Sequence, residues 1–366
     1  QVSRSFPPLS IMDDQIYCID YSQLTKREKR IDVEAEHICE LVHRNRMSDE
    51  VAVIFHSEKI SFTFSSLKAK SDELAAAFLS TGLLPGNRIL LIGSNESAVF
   101  LSLFASARAK LIFCLISPHI HDCESLARII NQGSFNAVCI FNSFSERIHR
   151  FLKEFSPEII GCEKGKLKSP TLPSLTHIFI SNEDHLHSGV FTYSDLHSRK
   201  VDISILPSLD SFDSHSLASF VQSMGSTGST RLAGVSHFQL LGGARSVNHA
   251  FRLTQGDSVC VCLPLHRGAL LPLLCLSPFL SRCTLFFPDA EPLPSKVFQC
   301  ISYYNLSVLI SNGAALRLLL RIQQRANTPL HSIIKILLIG ERVSTELGSA
   351  IRQSIPHTKL IAVSFL

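Results

Sequence analysis

The segment from Ser223 to Arg231 contains the residues of this sequence that are best suited to bind phosphate. It reads Ser-Met-Gly-Ser-Thr-Gly-Ser-Thr-Arg, and its two glycines allow the backbone to turn tightly and to approach a ligand closely. Successive backbone N–H groups in such a loop can form an anion-binding nest, and the side-chain hydroxyls add further donors. The arginine supplies a permanent cation that can hold phosphate through two parallel hydrogen bonds. The pattern predicts a polyphosphate cradle made of Ser223, Gly225, Ser226, Thr227, Gly228, Ser229 and Arg231.

The spacing of this loop excludes a Walker phosphate loop, because no Gly-Lys-Ser/Thr follows the glycines. A flexible Gly/Ser linker is the alternative interpretation. The flanking sequence favours a binding loop, since residues 217–221 are mostly apolar and Ser236-His237 can open a helix. We interpret His237 as the residue that starts this helix and not as a catalyst.

The elements that would position this loop alternate between strands and helices. Short apolar runs typical of buried parallel strands occur at 88–93, 111–116, 136–141, 259–263, 284–287, 307–310, 334–339 and 359–363. Helical spacing is found from a cap at Ser65 or Ser66 to a stop at Gly82, and at 96–109, 122–132, 143–155, 237–250, 294–304, 313–325 and 344–354. This rhythm predicts an α/β fold with mostly parallel sheets flanked by helices.

The chain is long enough for two packed subdomains. Residues 162–215 are rich in Ser, Pro, His and Asp, and we interpret them as a connection between the subdomains. We therefore expect an N-terminal extension at 1–30, a first α/β subdomain with its connecting segment at 31–200, and a second at 201–366. The second would contain the phosphate loop and be incomplete at its C-terminus, because the chain ends on an apolar run.

Composition excludes several classes of function. The 366 residues are 45% hydrophobic and 18% charged, and the net charge of +4 is scattered, so nucleic acid is not implied. The apolar stretch 268–280 is too short for a transmembrane segment and is expected to be a core helix and loop. The 11 cysteines lie mostly in apolar surroundings, which indicates buried reduced thiols in an intracellular protein. Cys260 and Cys262 would share one face of a strand, but no second pair completes a metal site.

The sequence resembles the adenylate-forming superfamily of acyl-CoA synthetases, luciferases and peptide-synthetase adenylation domains. The family's phosphate loop reads Thr-Ser-Gly-Thr-Thr-Gly-x-Pro-Lys-Gly followed by Ser-His, and Gly225 to Ser229 with Ser236-His237 match that pattern. Residues 62–67, 82–88 and 93–96 look like the family's N-terminal region, and residues 166–173 look most like mitochondrial medium-chain acyl-CoA synthetases. The resemblance covers residues 30–366 and implies the fold of the family's large N-terminal domain.

The resemblance also implies a chemistry, the ligation of a carboxylic acid to coenzyme A through an acyl-adenylate. ATP, Mg²⁺ and coenzyme A would be required, the substrate would be a fatty acid, and the location would be mitochondrial. His266 would border the acyl pocket, although the family's aromatic residue before it is missing. Gly340, Glu341 and Arg342 would line the adenine. An ordinary structural histidine and an ordinary strand-to-helix turn remain the alternatives for these two segments.

The sequence departs from the family pattern in ways that bear on activity. Arg231 replaces a lysine, and Leu232 replaces a glycine that could adopt positive φ. The family's Tyr-Gly-x-Thr-Glu motif, ribose-binding Asp and small C-terminal domain with its catalytic Lys have no counterpart before Leu366. We therefore expect no complete catalytic set and an inactive chain, either as a fragment or as a degenerate paralogue that binds nucleotide or acyl groups. An amino-acid adenylation domain and an incomplete gene model are further alternatives.

Overall fold

The structure, a computed structural model, describes residues 16–20, 37–44, 48–141, 145–181, 188–197, 201–224, 230–340 and 343–364. The strands in these ranges are β1 (Ile16–Asp20), β2 (Val51–Phe55), β3 (Ile60–Thr63), β4 (Arg88–Ile92), β5 (Ile112–Ile116), β6 (Ala137–Ile140), β7 (His177–Ile180), β8 (Phe191–Thr192), β9 (Leu217–Met224), β10 (Thr230–Ser236), β11 (Ser258–Val261), β12 (Thr284–Phe287), β13 (Val308–Ser311), β14 (Lys335–Ile339) and β15 (Lys359–Ser364).

The helices in the same ranges are α1 (Ile38–Arg44), α2 (Phe64–Ser80), α3 (Ser97–Arg108), α4 (Cys123–Gly133), α5 (Ser145–Phe155), α6 (Tyr193–His197), α7 (His237–Phe251), α8 (Ser277–Leu280), α9 (Pro294–Tyr304), α10 (Gly313–Ala326) and α11 (Thr345–Ser354). Short 3₁₀ turns lie at Pro157–Ile160, Ile203–Ile205, Leu209–Ser211 and Gly268–Leu270, and a π turn lies at Pro272–Leu276.

The strands form two sheets. Eight strands lie in the order β1-β15-β14-β13-β11-β12-β2-β3, and seven lie in the order β10-β9-β5-β4-β6-β7-β8. Every neighbouring pair is parallel except β2 with β3 and β9 with β10. The predicted α/β architecture of two mostly parallel sheets flanked by helices is confirmed.

Alternate residues of each strand face different layers, which places the helices. Ile89 and Leu91 of β4 join a large core that also contains the inner faces of both sheets and much of α2, α3 and α7. Leu90 and Ile92 join a separate core with α4 and α5 on the outer side of the seven-stranded sheet. The outer side of the eight-stranded sheet packs in the same way on α9, α10 and α11. Both sheets are therefore buried on both faces, as the continuous apolar strand sequences require.

Side-chain caps fix where the helices start. The hydroxyl of Thr63 caps α2 in a capping box with Ser66, so the predicted caps at Ser65 or Ser66 were wrong by two or three residues. Thr63 was overlooked because it also ends β3. Ser236 caps α7 in the same manner, and the side chains of Asp122 and Ser344 cap α4 and α11 by accepting a hydrogen bond from a backbone N–H three residues later. Gly82 follows α2 with φ +107°, as expected of the residue that ends this helix.

The boundary that the sequence predicts between residues 200 and 201 does not separate the two sheets. β2 and β3 precede it but belong to the eight-stranded sheet, whereas β9 and β10 follow it but belong to the seven-stranded sheet. The segment 162–215, interpreted as a connection, contributes β7 and β8 to a sheet edge. β1 lies within the expected N-terminal extension, yet it pairs with β15 along all five of its residues. The predicted bounds follow chain order, whereas each sheet combines strands from both sides of residue 200.

Candidate functional site

A hairpin positions the predicted phosphate loop. Met224 at the end of β9 pairs with Thr230 at the start of β10, and Ser223 pairs with Arg231, so residues 225–229 join the two paired strands. Gly225, Ser226, Thr227, Gly228 and Ser229 themselves lie outside the described residues. Phe113 and Cys114 of β5 align with Ser219 and Phe220 of β9, and β9 therefore continues about two residues, or about 7 Å, beyond the end of β5. The loop thus follows the carboxyl ends of the parallel strands, where open α/β sheets bind ligands.

The two departures beside this loop have different structural consequences. Arg231 lies at the start of β10 and is exposed to solvent. Leu232 pairs with Gln222 in extended backbone, and its half-buried side chain packs against the core on the outer face of the seven-stranded sheet. Leu232 therefore does not need the positive φ that leucine cannot readily adopt, because it is a paired strand residue.

The carboxyl ends of strands from both sheets meet at one place. Asn95 follows β4 and is 1% exposed, and its side-chain amide binds backbone groups that follow β11. Oε1 of Glu291, which follows β12, accepts a hydrogen bond of 2.7 Å from Ser94 and lies 3.2 Å from Nε2 of His119, which follows β5. Polar side chains from three strand ends and backbone groups from a fourth therefore join the sheets on their inner side.

His266 lies at this join, four residues after Cys262. Its side chain is half-buried, and burial lowers its pKa from 6.5 to about 4, with Glu291 opposing this shift and Arg267 and His119 adding to it. The imidazole is therefore neutral at pH 7. Its buried Nδ1 has no hydrogen-bond partner among the residues that the structure describes. A buried acceptor or donor without a partner is uncommon in folded proteins and marks this side chain as able to bind a further group.

Gly340 follows β14 at the same edge of the eight-stranded sheet. Its φ of +89° is a conformation that favours glycine, and a Cβ at this position would meet no atom of the described residues within 4 Å. The turn therefore borders open space rather than packed protein. Glu341 and Arg342, which were assigned to the adenine with Gly340, lie outside the described residues.

His237 occupies the structural position that we expected. It is the first residue of α7 after the cap Ser236, and it is 4% exposed. Its Nδ1 accepts a hydrogen bond of 3.3 Å from the backbone N–H of Ile38, and burial lowers its pKa to about 4. A ring nitrogen that holds a distant backbone group explains the histidine without any catalytic role.

A narrow cavity lies between α7 and the eight-stranded sheet. Its walls are almost entirely apolar, and it has room for about one water molecule. The lining residues are Val247, Phe251, Leu253, Val308, Ile310, Lys335, Ile336, Leu337 and Ile361. The apolar stretch 268–280, expected to be a core helix and loop, contributes Leu270, Leu271, Leu274 and Phe279 to the large inner core and none of this lining. Core packing is therefore the interpretation that this stretch supports.

The cysteines are free thiols wherever their side chains are described, and all of these except Cys123 and Cys162 are buried. The sulfur atoms of Cys260 and Cys262 lie 3.7 Å apart, on the same face of the sheet as the sequence predicts. Within the ranges given above, no three His, Cys, Asp or Glu side chains form a group that could hold a metal ion. Each helix in those ranges is too short or too polar to cross a membrane.

Comparison with known proteins identifies the family. The family model for AMP-binding enzymes matches residues 41–363, which is most of the chain. The chain belongs to this AMP-binding enzyme family. It is 30% identical over 215 residues to the mitochondrial medium-chain acyl-CoA ligase of Bos taurus, a match that covers 57% of this chain and 34% of that protein. The chain thus spans about a third of the length of this curated relative.

Solved structures of adenylate-forming enzymes share the fold of this chain. The anthranilate CoA ligase AuaEII, crystallised with anthranoyl-AMP, superposes with a TM-score of 0.76 at 14% identity over 90% of this chain and 60% of its own. The N-terminal domain of FACL13 from Mycobacterium tuberculosis gives 0.74 at 13% identity over 90% of this chain and 76% of its own. At these identities the likeness concerns the fold alone.

Proposed function

We propose that this chain forms the nucleotide- and acid-binding part of an ATP-dependent carboxylate–CoA ligase that activates fatty acids. The observation that carries the proposal is the arrangement at one edge of the two sheets. The hairpin of the phosphate loop, the open turn at Gly340 and the unpartnered Nδ1 of His266 all follow carboxyl ends of parallel strands. This is the edge at which open α/β sheets bind ligands.

The reaction has two displacement steps. A carboxylate oxygen attacks the α-phosphorus of ATP, the bond to pyrophosphate breaks, and an acyl-adenylate forms. The thiol sulfur of coenzyme A then attacks the acyl carbon, AMP leaves, and the thiol proton is released to solvent. In this scheme the hairpin loop and Arg231 bind the β- and γ-phosphates, whose charge increases as pyrophosphate leaves. Mg²⁺ would enter with the nucleotide, because the described residues contribute no carboxylate cluster of their own.

Two observations support a fatty acid as the substrate. The cavity beside α7 is apolar, and the strands β13, β14 and β15 that line it run toward the edge that carries Gly340. Because the cavity has room for about one water molecule, an acyl chain would have to displace side chains such as Phe251 to enter. The Bos taurus relative is named as a mitochondrial medium-chain acyl-CoA ligase, and we extend both its substrate class and its compartment to this chain as part of the proposal.

Binding without ligation is the second candidate, and Arg231 is the observation that favours it. A guanidinium is wider than the ammonium of the family's lysine and forms two parallel hydrogen bonds to one phosphate. Such a contact can bind ATP tightly in the ground state without stabilising the pyrophosphate as it leaves. Nucleotide affinity would then remain while the chemical step fails.

The two candidates are separated by measuring ATP binding and pyrophosphate release with the 366-residue chain and octanoate. Binding with release supports the ligase, and binding without release supports the second candidate if Arg231→Lys restores release. No binding rejects both. Arg231→Ala should weaken ATP binding about tenfold or more, since a hydrogen bond to a charged group contributes about 1.5–3 kcal/mol. Arg150→Ala is the matched control, because Arg150 is also exposed but lies on α5, at the outer face of the seven-stranded sheet.

A further inference from the structure

Asn95 connects the two sheets through three hydrogen bonds. Its Nδ2 donates to the carbonyl of Leu263 at 3.1 Å, and its Oδ1 accepts from the backbone N–H of Leu265 at 2.7 Å. Its own backbone N–H donates to the carbonyl of Ala290 at 3.0 Å. Asn95, which follows β4 of the seven-stranded sheet, thus binds the segments that follow β11 and β12 of the eight-stranded sheet.

The two side-chain contacts lie on either side of Pro264. This proline has no backbone N–H, and the segment leaves the sheet after Cys262, whose N–H still donates to Ile310 of β13. The carbonyl before the proline and the N–H after it would be buried without a partner if Asn95 were absent, since Leu263 and Leu265 are at most 1% exposed. Asn95 therefore determines the path of the backbone that leads directly into His266.

A second bridge beside Asn95 holds the same join. Oε1 of Glu291 is shared between the hydroxyl of Ser94 and the ring of His119, and the charge of Glu291 acts on His266. This bridge is half-exposed, because the side chains of His119 and Glu291 are 48% and 44% exposed. Solvent can replace its contacts, whereas it cannot replace those of the buried Asn95. The precise placement of His266 consequently depends on Asn95.

We propose that Asn95 is a positioning residue for the acid-binding site. It fixes the segment Leu263–His266 against the end of β4, so that the unpartnered Nδ1 of His266 stays in place to meet the carboxyl group of the substrate. This inference rests on the proposed function, because it assigns a role within the same site. The hairpin loop and Gly340 follow β9 and β14, whereas Asn95 binds the segments that follow β11 and β12. We therefore expect Asn95 to affect acid binding and not nucleotide binding.

Only an amide of this length satisfies both backbone groups. In Asn95→Asp the acceptor for Leu265 N–H remains, but a carboxylate oxygen faces the carbonyl of Leu263 and repels it. In Asn95→Ala both contacts are lost. Asn136→Ala is the matched control, because the Oδ1 of Asn136 likewise accepts a backbone N–H, that of Arg88, at 2.9 Å. Asn136 lies before β6, at the opposite end of the strands from the join.

The experiment measures octanoate binding, ATP binding and the titration of the His266 ring by NMR in the 366-residue chain and these variants. For Asn95→Ala we expect octanoate affinity to fall at least about tenfold and ATP affinity to change less than about twofold. The pKa of His266 should rise from about 4 toward 6.5 as the ring becomes more exposed to water. Asn136→Ala should leave all three measurements unchanged even if it lowers the melting temperature by the same amount.

The outcomes separate this inference from the proposed function. If the unmodified chain binds neither ligand, the proposed function fails. If it binds both and Asn95→Ala binds octanoate equally well with an unchanged His266 titration, the positioning role is overturned. Should Asn95→Ala not fold, Asn95→Asp decides: weaker octanoate binding with normal ATP binding supports the role, and unchanged octanoate binding refutes it.

Discussion

The two ends of the strands in the eight-stranded sheet differ in how their polar groups are satisfied. At the amino end, Asp257 accepts hydrogen bonds from the backbone N–H of Thr254 at 2.8 Å and from Nζ of Lys335 at 2.7 Å. Ser258 and Ser307 exchange backbone and hydroxyl hydrogen bonds beside it. At the carboxyl end, within the described part of the chain, Nδ1 of His266 has no hydrogen-bond partner and the turn at Gly340 borders open space. A polar network that satisfies itself stabilises a fold, whereas groups with remaining capacity can bind a ligand.

Breaking the amino-end network should give the largest effect on stability and none on ATP binding. Lys335→Ala leaves the carboxylate of Asp257, whose side chain is 6% exposed, without its cation. We expect the free energy of unfolding to fall by about 2–3 kcal/mol, less than for a fully buried pair because the Lys335 side chain is 21% exposed. Urea unfolding measures the loss. Weaker ATP binding by the folded variant would show that the two ends are not independent.

Acid pH should lower stability through the buried histidines. Burial lowers the pKa of His37 and of His237 from 6.5 to about 4. Between pH 6.5 and pH 4 the unfolded chain therefore binds more protons than the folded chain, so stability is full above pH 6.5 and falls as the pH is lowered toward 4. His237→Gln should flatten this dependence when urea unfolding is measured across that range. A slope identical to that of the unmodified chain would contradict the assignment.

Two glycines provide a smaller and sharper contrast. Gly340→Ala should destabilise the chain by about 1 kcal/mol or somewhat more, because alanine must adopt φ +89° although there is space for its methyl group. Gly242 lies within α7, where an added Cβ would likewise meet no described atom within 4 Å. Gly242→Ala should therefore stabilise the chain by about 0.5–1 kcal/mol. Thermal unfolding compares the two variants. Equal effects would mean that the turn after β14 does not require a glycine.

The smallest effect is expected at Leu232, where the family has glycine. Leu232→Gly removes a half-buried side chain from the outer core and places glycine in a strand, which should cost about 1 kcal/mol. ATP affinity should not change, because the backbone at 232 is already extended and paired with Gln222. If the glycine instead increased ATP affinity, the leucine would be a genuine defect of the phosphate site.

The predictable parts of the fold are those with continuous apolar strands. β4, β5, β12 and β14 were found within about one residue, because a strand buried on both faces has no polar residues to interrupt it. β10 was missed, since this exposed edge strand contains Thr230, Arg231 and Gly234 and does not alternate clearly. β7 was missed for a different reason, because its three apolar residues, 178–180, stand alone in a polar segment.

The candidate site was only partly predictable. Gly340 and His266 were found because they match short motifs directly after strands. The role of Asn95 could not be found, because its partners Leu263 and Leu265 are 168 and 170 residues away and are joined to it only by the packing of two sheets. The useful signal would have been a polar residue within three positions of each parallel strand end, a criterion that also selects Ser94 and His119.

Hydrogen–deuterium exchange with and without ATP and octanoate tests the central claim most directly, because it reports every part of the chain at once. The claim is that the carboxyl ends of the strands bind the nucleotide and the carboxyl group of the acid, whereas the polar network at the amino ends stabilises the fold. It predicts protection at residues 220–232, 262–267 and 338–343, with no change at 254–258 or 305–307, which do not line the apolar cavity. Protection confined to the amino-end segments, or none near the hairpin and His266, would contradict the account.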